Sequence, residues 1–388
     1  MDSKKLDFVF FDAGGGHRSA ATALKMVLDE QNRPWDVRLV NLQELLDPLD
    51  LFRKLFGVRL QDVYNLILKN GWTLGSAQLV RPMQWLIRLY HERQVPLIEA
   101  RWRESRPDLV VSFVPHFNRA LRESLRNVRP EAPFVTVLTD LADYPPHFWI
   151  ERQDQFLVCG SNRAVEQARD HGHPDERIFR TSGMILHPRF YQGGEIDRVS
   201  ALRRLGLDSG RPTGLVLFGG QGSSVMRDIA LRLDRSGLDV QLILICGRNA
   251  RLAGNLRRQR KRIPMFVEGF TTEVPFYMRL ADFFIGKPGP GSISEALALR
   301  VPVIVERNAW TLPQERYNAE WLVENQVGEV VRNFRSIDRV VANLLGSGAL
   351  ERFRRNAAKL NNRAVFEIPE LLDKLLRPSG AGGPGPQK

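Results

Sequence analysis

The 388-residue chain carries 56 Lys and Arg against 44 Asp and Glu, a net charge of +12, and 43% of its residues are hydrophobic. It is long enough for two domains of ordinary size, and no run of about 18 apolar residues is present to form a membrane-spanning helix. The positive charge favours a polyanionic partner, whether nucleic acid, an anionic bilayer or a phosphorylated substrate. Cys159 and Cys246 each end a β-like run (QFLVC, LILIC) and read as buried thiols rather than a disulfide or metal site.

In chain order, LDFVFFD (6–12) predicts a buried strand, 18–31 a helix and DVRLVNL (36–42) a second strand. The first apolar run leads into a glycine loop rather than a signal-cleavage site, so a cytoplasmic chain is expected. The segment 44–106 interrupts the alternation. Its helical patterns mix Trp72, Trp85 and Trp102 with basic residues, ten Lys or Arg against four Asp or Glu from 52 to 106. Such a stretch suits a helix lying among lipid headgroups, and it suits equally a helical insertion packed on the core with one solvated face.

PDLVVSF (107–113), APFVTVLTD (132–140), DQFLVCG (154–160) and ERIFRTSG (176–183) continue as short strands, with a helix over 161–172. After ILHPRFYQGGEI (185–196) the rhythm restarts: TGLVLFGG (213–220), a helix over 225–237, DVQLILICG (239–247), PMFVEGF (264–270), ADFFIG (281–286) and VPVIVE (301–306). The expected fold class is α/β, with two halves of about equal size joined near 187–197 and a ligand site in the cleft between them. The Gly/Pro-rich tail is expected to be disordered.

Three stretches carry candidate chemistry. FFDAGGGHRSAATAL (11–25) sets a glycine turn and His17 between a strand and a helix, yet Ser19 breaks the GxGxxG pattern and no GxxxxGK[ST] occurs. His17 there can take a proton from a hydroxyl within hydrogen-bond reach, or simply belong to the first helical turn. FGGQGSS (218–224) offers backbone N–H groups and the hydroxyls of Ser223 and Ser224 to a diphosphate. In GKPGPGSISEALALRVPVIVERNAWTLPQERYNAEWL (286–322), a helix starting near Ser292 can face phosphate oxygens, with Glu295 one turn in to accept ribose hydroxyls. A loop with Gln314 and Glu315 follows, so the unit has the parts of a nucleotide-sugar site. RNARLAGNLRRQRKR (248–262), with seven basic and no acidic residues, reads as a solvated helix face or as a membrane or diphosphate surface.

Together GGGHRSAA, TDLADYPPHFW (139–149), SGMILHPRF (182–190), FGGQGSS, VEGFTTEVPFYMRLADFFIGKPGPGSISEAL (267–297) and LPQERYNAEWL resemble the diacylglycerol glycosyltransferases, including the monogalactosyldiacylglycerol synthases. These are similar in turn to the N-acetylglucosaminyltransferase that completes the lipid-linked peptidoglycan precursor. The resemblance implies a GT-B fold of two facing Rossmann-like domains. Residues 1–190 would bind the acceptor and carry the membrane-associated insertion 44–106; residues 197–376 would bind the UDP-sugar, and 377–388 form the tail.

The activity implied is inverting transfer of galactose or glucose from a UDP-sugar to diacylglycerol at a membrane surface. On this resemblance His17 is the candidate base, with Gly15 and Gly16 beside it on the acceptor side. Gly219, Gly220 and Ser223 fall on the phosphate loop, Phe270 on the uracil-contacting turn, and Gly289, Gly291 and Ser292 on the second phosphate turn. Glu295 falls on the ribose-binding acid, Gln314 and Glu315 on the sugar-contacting pair, and Trp149 joins Trp72 and Trp85 at the membrane. Asp140 is a second candidate for the base or for orienting His17, its other role being to cap the following turn.

No DxD triplet occurs, so no metal or other cofactor is expected. The expected partners are the UDP-sugar, the lipid acceptor and an anionic membrane on its inner, cytoplasmic face, with no nucleic acid because no recognisable module for one is present. The chain departs from many relatives in GMILHP, which is therefore given no catalytic role, and in the loop RNAWTLP, which bears on the choice of sugar. A soluble GT-B sugar-nucleotide epimerase, or a transferase acting on another lipid acceptor, are the alternatives.

Overall fold

The computed structural model describes residues 3–12, 15–49, 84–85, 87–194, 196–259 and 261–377. Trp72 and the tail residues 378–388 lie outside the described residues. Strands β1 (Lys4–Phe10), β2 (Trp35–Asn41), β3 (Leu109–Ser112), β4 (Phe134–Val137), β5 (Phe156–Cys159) and β6 (Ile178–Arg180) form one sheet in the order β2-β1-β3-β4-β5-β6. A second sheet holds β7 (Thr213–Leu217), β8 (Gln241–Ile245), β9 (Met265–Glu268), β10 (Phe283–Gly286), β11 (Val303–Glu306) and β12 (Gly328–Val331), in the order β12-β11-β10-β7-β8-β9. All neighbouring strands are parallel. The central strands are apolar along their length because helices cover both faces, as the runs LVVS, QLILI and FFIG anticipate.

Strand order reverses between β1 and β3 in the first sheet and between β7 and β10 in the second. At such a switch point the loops leaving two neighbouring strands part to opposite faces and open a crevice at their carboxyl ends. The glycine loops after β1, β7 and β10 all stand at these two crevices. Strand order within the second sheet therefore sets the loops after β7 and β10 side by side.

Beneath the first sheet, Phe8 and Val111 pack with Leu24 and Leu28 of the helix Gly16–Glu30 and with Val365, Ile368 and Leu372 of the helix Ala364–Leu376. That last helix belongs by sequence to the segment 197–376, but its apolar face is buried on the first half. The chain thus crosses back at its end, and Arg33 pairs with Glu370 across this contact.

On the opposite face, Val9, Val110 and Phe134 meet Ile98 and Trp102 of the helix His91–Ser105. Trp102 is fully buried and its Nε1 donates to Ser124 Oγ at 2.9 Å. This part of the segment 44–106 is therefore a core-packed helix and not a membrane element. Burying Ile98 and Trp102 contributes about 1.5–3 kcal/mol each, which fixes the helix to the sheet. Trp85 and Leu89 are exposed, 64% and 61%. Strand β12 escaped the sequence reading because GEVV is only four residues long and contains both glycine and glutamate.

Candidate active site

On the first half, β1 ends at Phe10 and Gly15, in left-handed backbone (φ 83°), turns the chain into the helix that begins at Gly16. His17 thereby points from the first helical turn toward the loop after β4. Its Nδ1 lies 3.0 Å from Thr139 Oγ1, and its ring is 5.7 Å from that of Trp149. Burial pulls the imidazole down to about 4, against an opposing hydrogen bond to the Phe113 backbone, so the ring is neutral at pH 7.

Asp140 follows directly after Thr139 and is buried, its Oδ2 accepting a 3.0 Å bond from Trp149 Nε1. Burial raises its carboxyl to about 7, Trp149 and the charge of Lys287 oppose the rise, and the charges of Glu315 and Asp143 add to it. Lys287 and Glu315 come from the second half, and next to Asp140 Leu141 and Ala142 cluster with Tyr317, so the two halves face each other here. Asp143 braces the loop: Oδ1 accepts from Trp149 N at 2.6 Å and Oδ2 from His147 N at 3.0 Å.

Trp149 has no exposed surface. The expectation that it lies at the membrane is corrected: its indole holds Asp140 and flanks His17 from inside the protein. A buried carboxyl needs a donor, and the indole N–H of Trp149 in TDLADYPPHFW provides one to Asp140.

On the second half, Gly219 and Gly222 are left-handed (φ 69° and 64°) in the loop after β7. A side chain at Gly222 would run into the Cys246 carbonyl, and one at Gly247 into that of Gly220, so the turns after β7 and β8 interlock through bare backbone. Gly220 accepts a 2.9 Å bond from Arg248 N. Ser223 Oγ accepts from Val225 N at 3.3 Å. Phe270 is exposed beneath the Arg248 guanidinium, 5.0 Å from the ring centroid, a flat platform of the kind that stacks on a base.

The loop after β10 passes through Lys287 to Gly289, the cap of the helix Pro290–Ala298 that bears Gly291, Ser292 and Glu295. Lys287 Nζ donates to Glu315 Oε1 at 2.7 Å. A Cβ on Gly219 would lie 3.8 Å, and one on Gly289 3.4 Å, from Lys287 Cε, so this lysine threads between the two glycine turns. Glu295 is half-buried and burial alone raises its carboxyl to about 7.

Gln314 and Glu315 open the helix Pro313–Glu324, whose Asn318 Nδ2 donates to the Pro288 carbonyl at 2.9 Å and ties helix to turn. Lys287, Thr139 and Asp143 were not singled out from the sequence. The available signal was a cation inside GKPGPG and two polar side chains flanking Asp140 in TDLAD.

The arrangement comprises a neutral imidazole and a buried carboxyl on one wall. On the other wall stand two glycine turns, a helix N-terminus, a lysine and two further carboxylates. Among the described residues no three His, Cys, Asp or Glu side chains converge as ligands for one ion.

Residues 215–369 match the glycosyltransferase family 28 C-terminal domain. Over 395 residues the chain is 28% identical to the chloroplastic monogalactosyldiacylglycerol synthase of Spinacia oleracea, covering 96% of this chain and 73% of that protein. Over 376 residues it is 28% identical to monogalactosyldiacylglycerol synthase 3 of Arabidopsis thaliana, covering 92% and 78%. Its fold is that of MurG from Acinetobacter baumannii (TM-score 0.63, 12% identity, 96% and 99% of the two chains) and of the calicheamicin glycosyltransferase CalG4 (TM-score 0.60, 15% identity, 98% and 100%). The chain has the GT-B fold, its residues 215–369 match the glycosyltransferase family 28 C-terminal domain, and it is similar over nearly its whole length to the monogalactosyldiacylglycerol synthases.

Proposed function

We propose that this protein is a glycosyltransferase that moves a hexose, with inversion, from a UDP-sugar to the free hydroxyl of a diacylglycerol at a membrane surface. The observation that carries the reading is the neutral His17 and buried Asp140 facing Lys287 and Glu315 across the cleft. In the transfer step the acceptor oxygen attacks the anomeric carbon as the bond from that carbon to the diphosphate breaks. The hydroxyl proton goes to His17, neutral and available, while Asp140 is the second candidate acceptor because its raised carboxyl is matched to neutral pH. The electron pair leaves with UDP, whose growing charge is met by Lys287, the turn at Gly219, Gly220 and Ser223, and the N-terminus at Gly289, Gly291 and Ser292.

In this reading Phe270 stacks on the uracil, Glu295 takes the ribose hydroxyls, and Gln314 with Glu315 contacts the sugar. The departing diphosphate breaks the Lys287–Glu315 pair and leaves Glu315 free to accept sugar hydroxyls. Transfer proceeds without a metal, a view supported by the lack of a DxD triplet and by the lysine between the glycine turns.

Acceptor access is from the Gly15–Gly16 side of the cleft, with the exposed side chains of Trp85 and Leu89, four residues apart, meeting the bilayer. No described helix is long and apolar enough to cross a membrane, and the proposed location is peripheral, on the cytoplasmic face. The test is incubation with UDP-glucose or UDP-galactose and diacylglycerol in anionic vesicles, with EDTA present, followed by mass analysis of the lipids. A hexosyl-diacylglycerol from one donor is expected; its absence with UDP binding intact removes the acceptor assignment.

A further inference from the structure

The two segments that cross between the halves, 182–191 and 357–363, are braced to one another. Arg363 N donates to Ser182 Oγ at 2.6 Å, Asn362 Nδ2 to the Met184 carbonyl at 2.9 Å, and Ser182 N to Glu367 Oε2 at 2.8 Å. Beside this brace lies a cavity of about 500 Å³, walled by both halves and lined by none of the residues placed in the reaction site above. Its volume is that of a small-molecule site.

The walls of this cavity are strongly cationic. Arg163, Arg180, Arg300, Lys359 and Arg363 line it against a single carboxylate, Glu324, which is already engaged by the Tyr317 hydroxyl at 3.2 Å. Among the described residues only Arg163 of the five has a carboxylate within ion-pair distance, Glu166 at 3.5 Å. Among the described residues the Arg180 guanidinium hydrogen-bonds only the amide oxygen of Asn162, at 2.9 Å, and Lys359 Nζ only that of Asn356, at 3.3 Å. Arg363 lies over the rings of Tyr191 and Phe366. Arg300 sits in left-handed backbone (φ 58°), where glycine is at ease, and the described residues give its guanidinium no hydrogen-bonded or ionic partner.

Cations gathered around one cavity repel each other until an anion enters, and guanidinium forks match phosphate oxygens in geometry as well as charge. We propose that this hinge cavity binds a phosphate ester, held by Arg163 and Arg180 from the first half and Arg300 from the second. An anion bound there fastens the two halves and sets how far the reaction cleft opens. The phosphate can belong to a soluble metabolite or to a lipid headgroup.

The test uses the whole chain with saturating UDP, so that the donor loops are filled, and titrates inorganic pyrophosphate by calorimetry. One saturable site is expected to remain, weakened at least tenfold by Arg180→Ala and by Arg300→Ala, changes in different halves. Arg355→Ala, in the shallower basic groove next to Arg300, should leave the affinity unchanged. In a second arm, short-chain phosphatidate below its micelle concentration replaces pyrophosphate: tighter binding through the same two arginines names a lipid source, and weaker or no binding a soluble one. The proposal is overturned if neither ligand saturates, if binding survives both substitutions with the fold intact, or if Arg355→Ala costs as much. Failure of UDP itself to bind speaks against the donor site and leaves the arginine comparison unaffected.

Discussion

His17, Asp140 and Glu295 show how burial sets protonation in this cleft. His17 is neutral because a desolvated imidazolium is disfavoured, and this suits it to accept a proton. His17→Ala is expected to lower kcat about 10²–10⁴-fold while UDP affinity, read by calorimetry, stays within a factor of two. Retained turnover moves the base to Asp140.

Asp140 gives a separate prediction in stability. Its folded carboxyl stands near 7 against an ordinary 3.8, so the folded chain holds this proton more tightly than the unfolded one. The contribution of this group to stability is therefore full below about pH 4 and is lost as pH rises toward 7. The melting temperature of Asp140→Asn relative to the parent should accordingly shift upward between pH 5 and pH 8; a difference that stays constant with pH contradicts the raised carboxyl. The motifs made His17, Asp140 and Glu295 legible in sequence as candidates. The direction of each titration was not, because it depends on what covers the side chain.

Among the elements, the strand-to-turn junctions of the second sheet form the proposed donor site, and the turns after β7 and β8 interlock only because glycine leaves room at Gly222 and Gly247. Gly222→Ala forces a side chain against the Cys246 carbonyl in left-handed backbone. The backbone term alone costs about 1–3 kcal/mol. A lowered melting temperature and at least a tenfold loss of UDP affinity are expected, whereas Gly220→Ala, where a Cβ meets nothing within 4 Å, should keep the fold.

Most strands were legible as short apolar runs closed by glycine or a polar residue. The helix His91–Ser105 was not separable from its neighbours in 44–106, because Trp, Leu and Arg at helical spacing describe a core face and a headgroup face equally well. Burial of Ile98 and Trp102 against the sheet resolved it.

For the whole molecule, the net charge of +12 and the exposed Trp85 and Leu89 predict binding to a charged, partly apolar surface. Co-sedimentation with vesicles containing anionic lipid should exceed that with neutral vesicles and fall as salt rises from 50 to 500 mM, values chosen to shorten the Debye length to about 4 Å. Replacing Trp85 and Leu89 together by alanine should weaken binding at both salt concentrations, because an apolar contact is not screened. Equal binding to anionic and neutral vesicles at low salt removes the electrostatic part of this reading.

The sequence by itself determined the α/β class and the stretches proposed to bear the chemistry, because strand periodicity, glycine turns and motif residues are local properties of the chain. Tertiary structure alone decided that Trp149 supports Asp140 from within rather than reaching a membrane, that Lys287 threads between two glycine turns to meet Glu315, and that the final helix returns to the first half. The physical reason is that partners distant in sequence set burial and charge at these positions, and the parallel strand order that brings such partners together is written in no single segment.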